Sequence, residues 1–93
     1  IGASKAKRFG LINDIFEPKE LHQRVMALAK IISSKSSYIL KLGKETFYKQ
    51  QNMSLERAYE YASERMIKNL KAEDAKEGIN AFLRKRDPKW KNS

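Results

Sequence analysis

Residues Leu70–Trp90 read LKAEDAKEGINAFLRKRDPKW, and their pattern decides how the rest of the chain is read. Asp74 is placed to act as an N-cap, with Glu77 three residues on, as a capping box requires. Ala75, Ile79, Phe82 and Leu83 recur at helical spacing and predict one apolar stripe. Arg84, Lys85 and Arg86 fall in the last turn, where cations suit the negative end of the helix dipole. Pro88 stops the helix. One short element thus joins a face to be buried to a cationic cluster just past its end. Such a cluster either holds phosphates or is ordinary capping charge.

Working outward, Ser54 is a good N-cap for the preceding helix. Leu55, Ala58, Tyr59, Ala62, Met66, Asn69 and Leu70 give that helix the longest amphipathic face in the chain. Before it, Ser36 or Ser37 caps a helix running through Gln50, with Ile39, Leu42, Gly43, Thr46 and Phe47 on one side. Gly43 inside a helix costs about 1 kcal/mol against Ala, and close packing by another helix is the expected reason for it. Pro18 suits the first turn of an earlier helix, whose apolar face is Leu21, Val25, Leu28, Ala29 and Ile32. Ala3 to Phe9 suits a short helix with Ser4 near its start, and Gly10 suits the left-handed position after its end. Leu11 to Phe16 is the single strand candidate; it must pair outside this chain or stay irregular. The expected fold is mostly α, with four longer helices after a short helix and one strand.

Ninety-three residues allow one small domain at most, and a chain of that size buries only a modest fraction of its surface. Apolar residues at 41% and charged residues at 33% fit a globular chain. The absence of cysteine excludes disulfides and Cys-metal sites, and a single histidine, His22, excludes a His-cluster metal site. No apolar run approaches the roughly 20 residues of a membrane span. The net charge of +9 attracts nucleic acid, anionic lipid or a polyanionic ligand, or is simply a solvated basic surface. The chain opens at Ile1, and so is expected to be a piece of something longer. His22 has no partnered Ser or Cys pattern and reads as a surface residue. Glu56, Glu60, Glu73, Asp74 and Glu77 lie on polar faces or at a helix start and read as structural, because catalytic carboxylates need burial to tune them. Met66 and Phe82 lie on apolar faces, where core packing is the ordinary reading.

The 70–90 stretch also resembles a known signature. Asp74, Glu77, Gly78, Ile79, Ala81, Phe82, Leu83, Lys85, Arg86, Pro88 and Trp90 are similar to the C-terminal D-x-x-E-G-I-x-A-F-L-x-K-R-x-P-x-W of the crotonase superfamily, the enoyl-CoA hydratases and isomerases. Upstream, Leu42 to Gln50 (LGKETFYKQ) resembles that family's antepenultimate helix. Ala3, Ser4, Ala6 and Phe9 to Asn13 resemble its A-x-x-A-x-x-x-G-L-V-N turn. The pieces fall in the right order over nearly the whole chain, and two are most like the enoyl-CoA hydratase domain-containing protein 3 group.

The resemblance implies the C-terminal helical part of a crotonase-like fold, with residues 1–16 ending the core and 17–93 forming a helical, trimerising segment. It implies an acyl-CoA thioester as ligand, with no tightly bound cofactor, and a trimer or dimer of trimers. It implies a mitochondrial location by analogy. Lys85 matches the family's lysine on a CoA phosphate, and a lysine can do this as a flexible point charge. Arg86, Lys89 and Lys91 are placed to share that work, and Trp90 to stack or to clamp the tail. Met66 matches an acyl-pocket position, with Phe82 beside it in the same expectation; a thioether tolerates varied acyl chains. The oxyanion hole and catalytic acids of the family belong to a part this sequence does not contain, so the chain alone is expected to be inactive. Two rivals stand beside this reading. A basic helical nucleic-acid-binding module predicts cations on one face with aromatic interleaving. Here cations mix with acids, as in Lys44-Glu45, Glu56-Arg57 and Glu64-Arg65. A helical scaffold without ligand is the other.

Overall fold

The computed structural model describes residues 1–93, which form five helices: α1 (Ala3–Arg8), α2 (Pro18–Ser33), α3 (Ser37–Gln50), α4 (Leu55–Lys71) and α5 (Glu73–Leu83). By their contacts they fall into two units, Ile1–Ile32 and Ser33–Ser93.

In the first unit, α1 ends in a Schellman turn. Gly10 takes φ 76, its N–H donates to the Lys7 carbonyl, and the Leu11 N–H reaches back to Ala6. Residues 11–16 are not a strand. No partner strand is present for their backbone, and the Asp14 carboxylate instead accepts from the Ile15 N–H at 2.9 Å and the Lys7 ammonium at 2.5 Å. Pro18 opens α2, whose missing N–H costs nothing there. The apolar face read from the sequence is present, but no residue of α2 is buried; Leu21, Val25, Leu28 and Ile32 are all about half exposed.

In the second unit, Ser36 is the N-cap of α3, accepting from the Ile39 N–H at 3.3 Å, and Ser54 caps α4 through the Arg57 N–H. Arg65 joins α4 to α3: its guanidinium donates to Thr46 Oγ1 and to Glu45 Oε2, and it lies over the Tyr61 ring. Leu42 is the one large apolar side chain that is buried, at 7% exposure, worth about 1.5–3 kcal/mol. Ala72 and Ala81 complete the buried apolar set. The expected tight contact at Gly43 is not made. A Cβ built there meets nothing within 4 Å, and the residue borders an open groove between α3 and α4.

Much of what joins α3 to α5 is polar. Ser36 donates from Oγ to Asp74 Oδ2 at 2.5 Å, and both residues are almost wholly buried. After α5 the chain runs back past both helix starts. Its Lys91 and Asn92 N–H groups donate to Asp74, Asn92 Oδ1 accepts from the Ser37 N–H, and a backbone oxygen of Ser93 accepts from the Asp74 N–H. The tail thus satisfies amides that a helix start leaves without partners. The capping box expected at Asp74 and Glu77 is therefore not formed. Helix α5 begins two residues earlier, with Ala72 as its N-cap, and both carboxylates turn toward the tail instead.

Candidate functional site

The turn that ends α5 is where the expected ligand residues lie. Helix α5 stops in the same Schellman arrangement as α1. The Lys85 N–H donates to the Phe82 carbonyl at 3.2 Å and the Arg86 N–H to Ala81 at 3.0 Å. The residue in the left-handed position is Lys85, at φ 52. In α1 that position is a glycine. A residue with a Cβ is disfavoured there by roughly 1–2 kcal/mol, so Lys85 occupies a position where glycine would suit the backbone better.

The chain beyond Lys85 is bound to α5. Arg86 makes a two-pronged ion pair with Glu77, Nη1 to Oε1 at 2.6 Å and Nη2 to Oε2 at 3.2 Å, and the Lys89 N–H donates to Oε1 at 2.9 Å. The Arg86 hydrogen bonds first, and then the Lys89 N–H, hold the Glu77 carboxyl at about 2, well below its ordinary 4.5, and the same pair raises Arg86. At Asp74 burial pushes the carboxyl up, but the Ser36 hydroxyl and the Lys91 and Asn92 amides outweigh it and hold the group below its ordinary value. The Trp90 indole donates to the Ser34 carbonyl at 2.8 Å, and its ring lies over Gly78, 3.4 Å from where a Cβ would stand. Of the two roles open to Trp90, it clamps the tail.

These facts sort the basic cluster. Arg86 is neutralised by Glu77, and the backbones of Lys89 and Lys91 are tied to Glu77 and Asp74. Lys85 is exposed and forms no ion pair. Phe82, three residues before it, is 82% exposed. Met66 stands on α4, 56% exposed, in a groove of about 230 Å³ shared with Ile39, Leu42, Gly43 and Ala62. Neither Met66 nor Phe82 is packed into a core here, and Phe82 and Lys85 do not border the Met66 groove. A second groove of about 400 Å³ lies among Ile39, Leu40, Leu70, Ala75, Ile79 and Trp90.

His22 is exposed on α2. Glu60 pairs with Arg57 and Glu73 with Lys76. No group of three His, Cys, Asp or Glu side chains is placed to hold a metal, and no helix is long and apolar enough to cross a membrane. Sequence reasoning missed the Asp74–Ser36 contact and the Glu77–Arg86 pair. The first joins residues 38 apart and has no local signal. The second was hinted at by an acid one helical turn before the apolar Ala81-Phe82-Leu83 and a base just beyond them.

A sequence model of the Enoyl-CoA hydratase/isomerase family matches residues 1–93. The mitochondrial enoyl-CoA hydratase domain-containing protein 3 of Mus musculus is 46% identical over 90 residues, 97% of this chain and 30% of that relative. Among solved structures, the human enoyl Coenzyme A hydratase domain-containing protein 3 superposes with a TM-score of 0.89 at 42% identity, over 97% of this chain and 36% of that one. The enoyl-CoA hydratase of Mycobacterium smegmatis gives 0.90 at 37% identity, over 97% and 35%. These neighbours have the crotonase fold, and the chain spans about a third of the length of each.

Proposed function

Because the chain belongs to the enoyl-CoA hydratase/isomerase family, we propose that it is the C-terminal helical segment of a longer acyl-CoA-binding protein. In this reading residues 1–16 end the catalytic core and 17–93 form the segment that covers the acyl-CoA site and builds a trimer or dimer of trimers. The family implies CoA thioester substrates, and the names of the relatives support a mitochondrial location. The thioester chemistry, hydration of a 2-enoyl-CoA, belongs to the part outside this segment, and the segment alone is inactive. Lys85 meets a CoA phosphate, while Met66 and Phe82 line the acyl chain's path.

The observation that carries the proposal is the backbone of Lys85. A left-handed non-glycine residue persists where its surroundings hold it, and such residues cluster at ligand clamps. The many half-exposed apolar side chains of α2 and α4 support the oligomer, because an exposed apolar face of this kind marks an interaction surface. The nucleic-acid reading is weaker: acids and bases alternate along the helices, and Arg57, Arg65 and Arg86 are all paired.

Isothermal titration of the intact protein with an acyl-CoA and with the matching acyl-pantetheine tests the reading. Lys85→Glu is expected to weaken the CoA ligand by roughly tenfold or more, since a charged hydrogen bond contributes about 1.5–3 kcal/mol. The pantetheine ligand, which lacks the nucleotide, is expected to bind both forms alike. Lys71→Glu makes the same charge change at the exposed end of α4. Equal losses from the two substitutions would mean that only the general positive field matters.

A further inference from the structure

The left-handed turn at Lys85 needs something beyond its own two hydrogen bonds. The Schellman bonds form equally well around glycine, so they do not explain why a lysine is kept in that conformation. What the rest of the chain adds is a pair of carboxylates on α5. Glu77 accepts three hydrogen bonds from residues that follow the turn: two from the Arg86 guanidinium and one from the Lys89 N–H. Asp74, one turn closer to the helix start, repeats the arrangement with the Lys91 and Asn92 N–H groups. The helix before Lys85 and the chain after it are thereby fastened together, and the residue between them has little freedom to relax toward a right-handed conformation.

Glu77 has a second effect on the same cluster. Three consecutive cations leave α5, and any of them would suit an anion. By holding Arg86, Glu77 removes one competitor of the three, leaving Arg84 at the helix end and the Lys85 ammonium on the left-handed turn.

We propose that Glu77 is the positioning residue for Lys85: its bidentate pair with Arg86 and its bond to the Lys89 amide hold the left-handed turn that presents the Lys85 ammonium to a ligand phosphate. The ligand half of this rests on the acyl-CoA reading above; the positioning half does not. Glu77 touches no ligand and acts through the turn.

A double-mutant cycle on the intact protein, Glu77→Ala with Lys85→Gln, separates the two halves. The readouts are CoA binding and amide hydrogen exchange of the 80–93 segment. The expected result is a several-fold loss of CoA affinity in Glu77→Ala and a similar or larger loss in Lys85→Gln. The double variant should bind no more weakly than Lys85→Gln alone, because without the lysine there is nothing to position. Exchange at the Arg86 and Lys89 amides should rise at least tenfold in Glu77→Ala. Glu77→Gln retains an acceptor for the Lys89 N–H and should fall between wild type and Glu77→Ala in both readouts; this variant also serves if Glu77→Ala fails to fold. Losses that add in the double variant would assign Glu77 a general structural role and overturn the proposal. Unchanged exchange in Glu77→Ala would overturn it whatever the binding data show. If Lys85→Gln leaves CoA binding unchanged while exchange still rises, the acyl-CoA reading fails and the positioning of the turn stands.

Discussion

Replacing Lys85 with glycine and, separately, with alanine tests the conformation on which the site depends. Both substitutions remove the same charge, so the difference between them isolates the backbone. At φ 52 an alanine carries the left-handed cost of roughly 1–2 kcal/mol, and glycine carries none. Glycine loses more freedom on folding, which returns roughly 0.5–1 kcal/mol of that advantage. Lys85→Gly is therefore expected to be more stable than Lys85→Ala by about 0.5–1 kcal/mol. Gly43→Ala provides the contrast. That residue lies in the interior of α3 with open space around its Cβ position, so alanine is expected to stabilise the helix by about 1 kcal/mol. Equilibrium unfolding in urea, followed by circular dichroism, gives all three values. If alanine at 85 matched or exceeded glycine, the left-handed turn would not be populated and Lys85 would not be held toward a ligand. Lys85→Gly should also bind CoA less well than wild type despite its easier backbone, which separates loss of the contact from loss of the fold.

Acid should release the tail. Glu77 sits at about 2 against an ordinary 4.5, so its stabilising contribution is complete above about pH 4.5 and is lost as pH falls through about 2; Asp74 shifts in the same direction. Fluorescence of Trp90, the sole tryptophan, should stay constant from neutral pH down to about 5 and change below that, whereas a transition near neutrality would contradict the assignment. Trp90→Phe keeps a ring over Gly78 but loses the bond to the Ser34 carbonyl, and is expected to cost about 1 kcal/mol in urea unfolding. Binding of DNA or heparin should be weak and indifferent to sequence, and should fall steeply with added salt, as a net charge of +9 implies; selective binding to one nucleic acid at about 150 mM salt would favour the rival reading.

How much of this was legible in the sequence depends on the distance over which each feature is encoded. Ser54 was readable as a cap, and Ser36 as one of two candidates beside Ser37, because a cap hydrogen bond reaches only three residues. The faces of α2, α3 and α4 were readable because periodicity is local. Asp74 was misread because it satisfies the local rule for a capping box while its real partners lie 17, 18 and 38 residues away. Gly43 was misread because close packing is one reason for a helical glycine and says nothing about where the neighbouring helix lies. Residues 11–16 have strand-like composition, but a strand exists only with a partner, and Asp14 found local donors first. Lys85 was picked out by resemblance. Its left-handed backbone was not legible, because cations are ordinary near a helix end and sequence does not distinguish the last helical residue from the one beyond it.

A crystal structure of the intact protein with CoA bound would show directly whether Lys85 meets the nucleotide. The Lys85 ammonium is expected at hydrogen-bonding distance, about 2.8 Å, from a phosphate oxygen of the nucleotide, with Arg86 still paired to Glu77 and residue 85 still left-handed. A CoA nucleotide held by other residues, with the turn after α5 facing solvent, would contradict it.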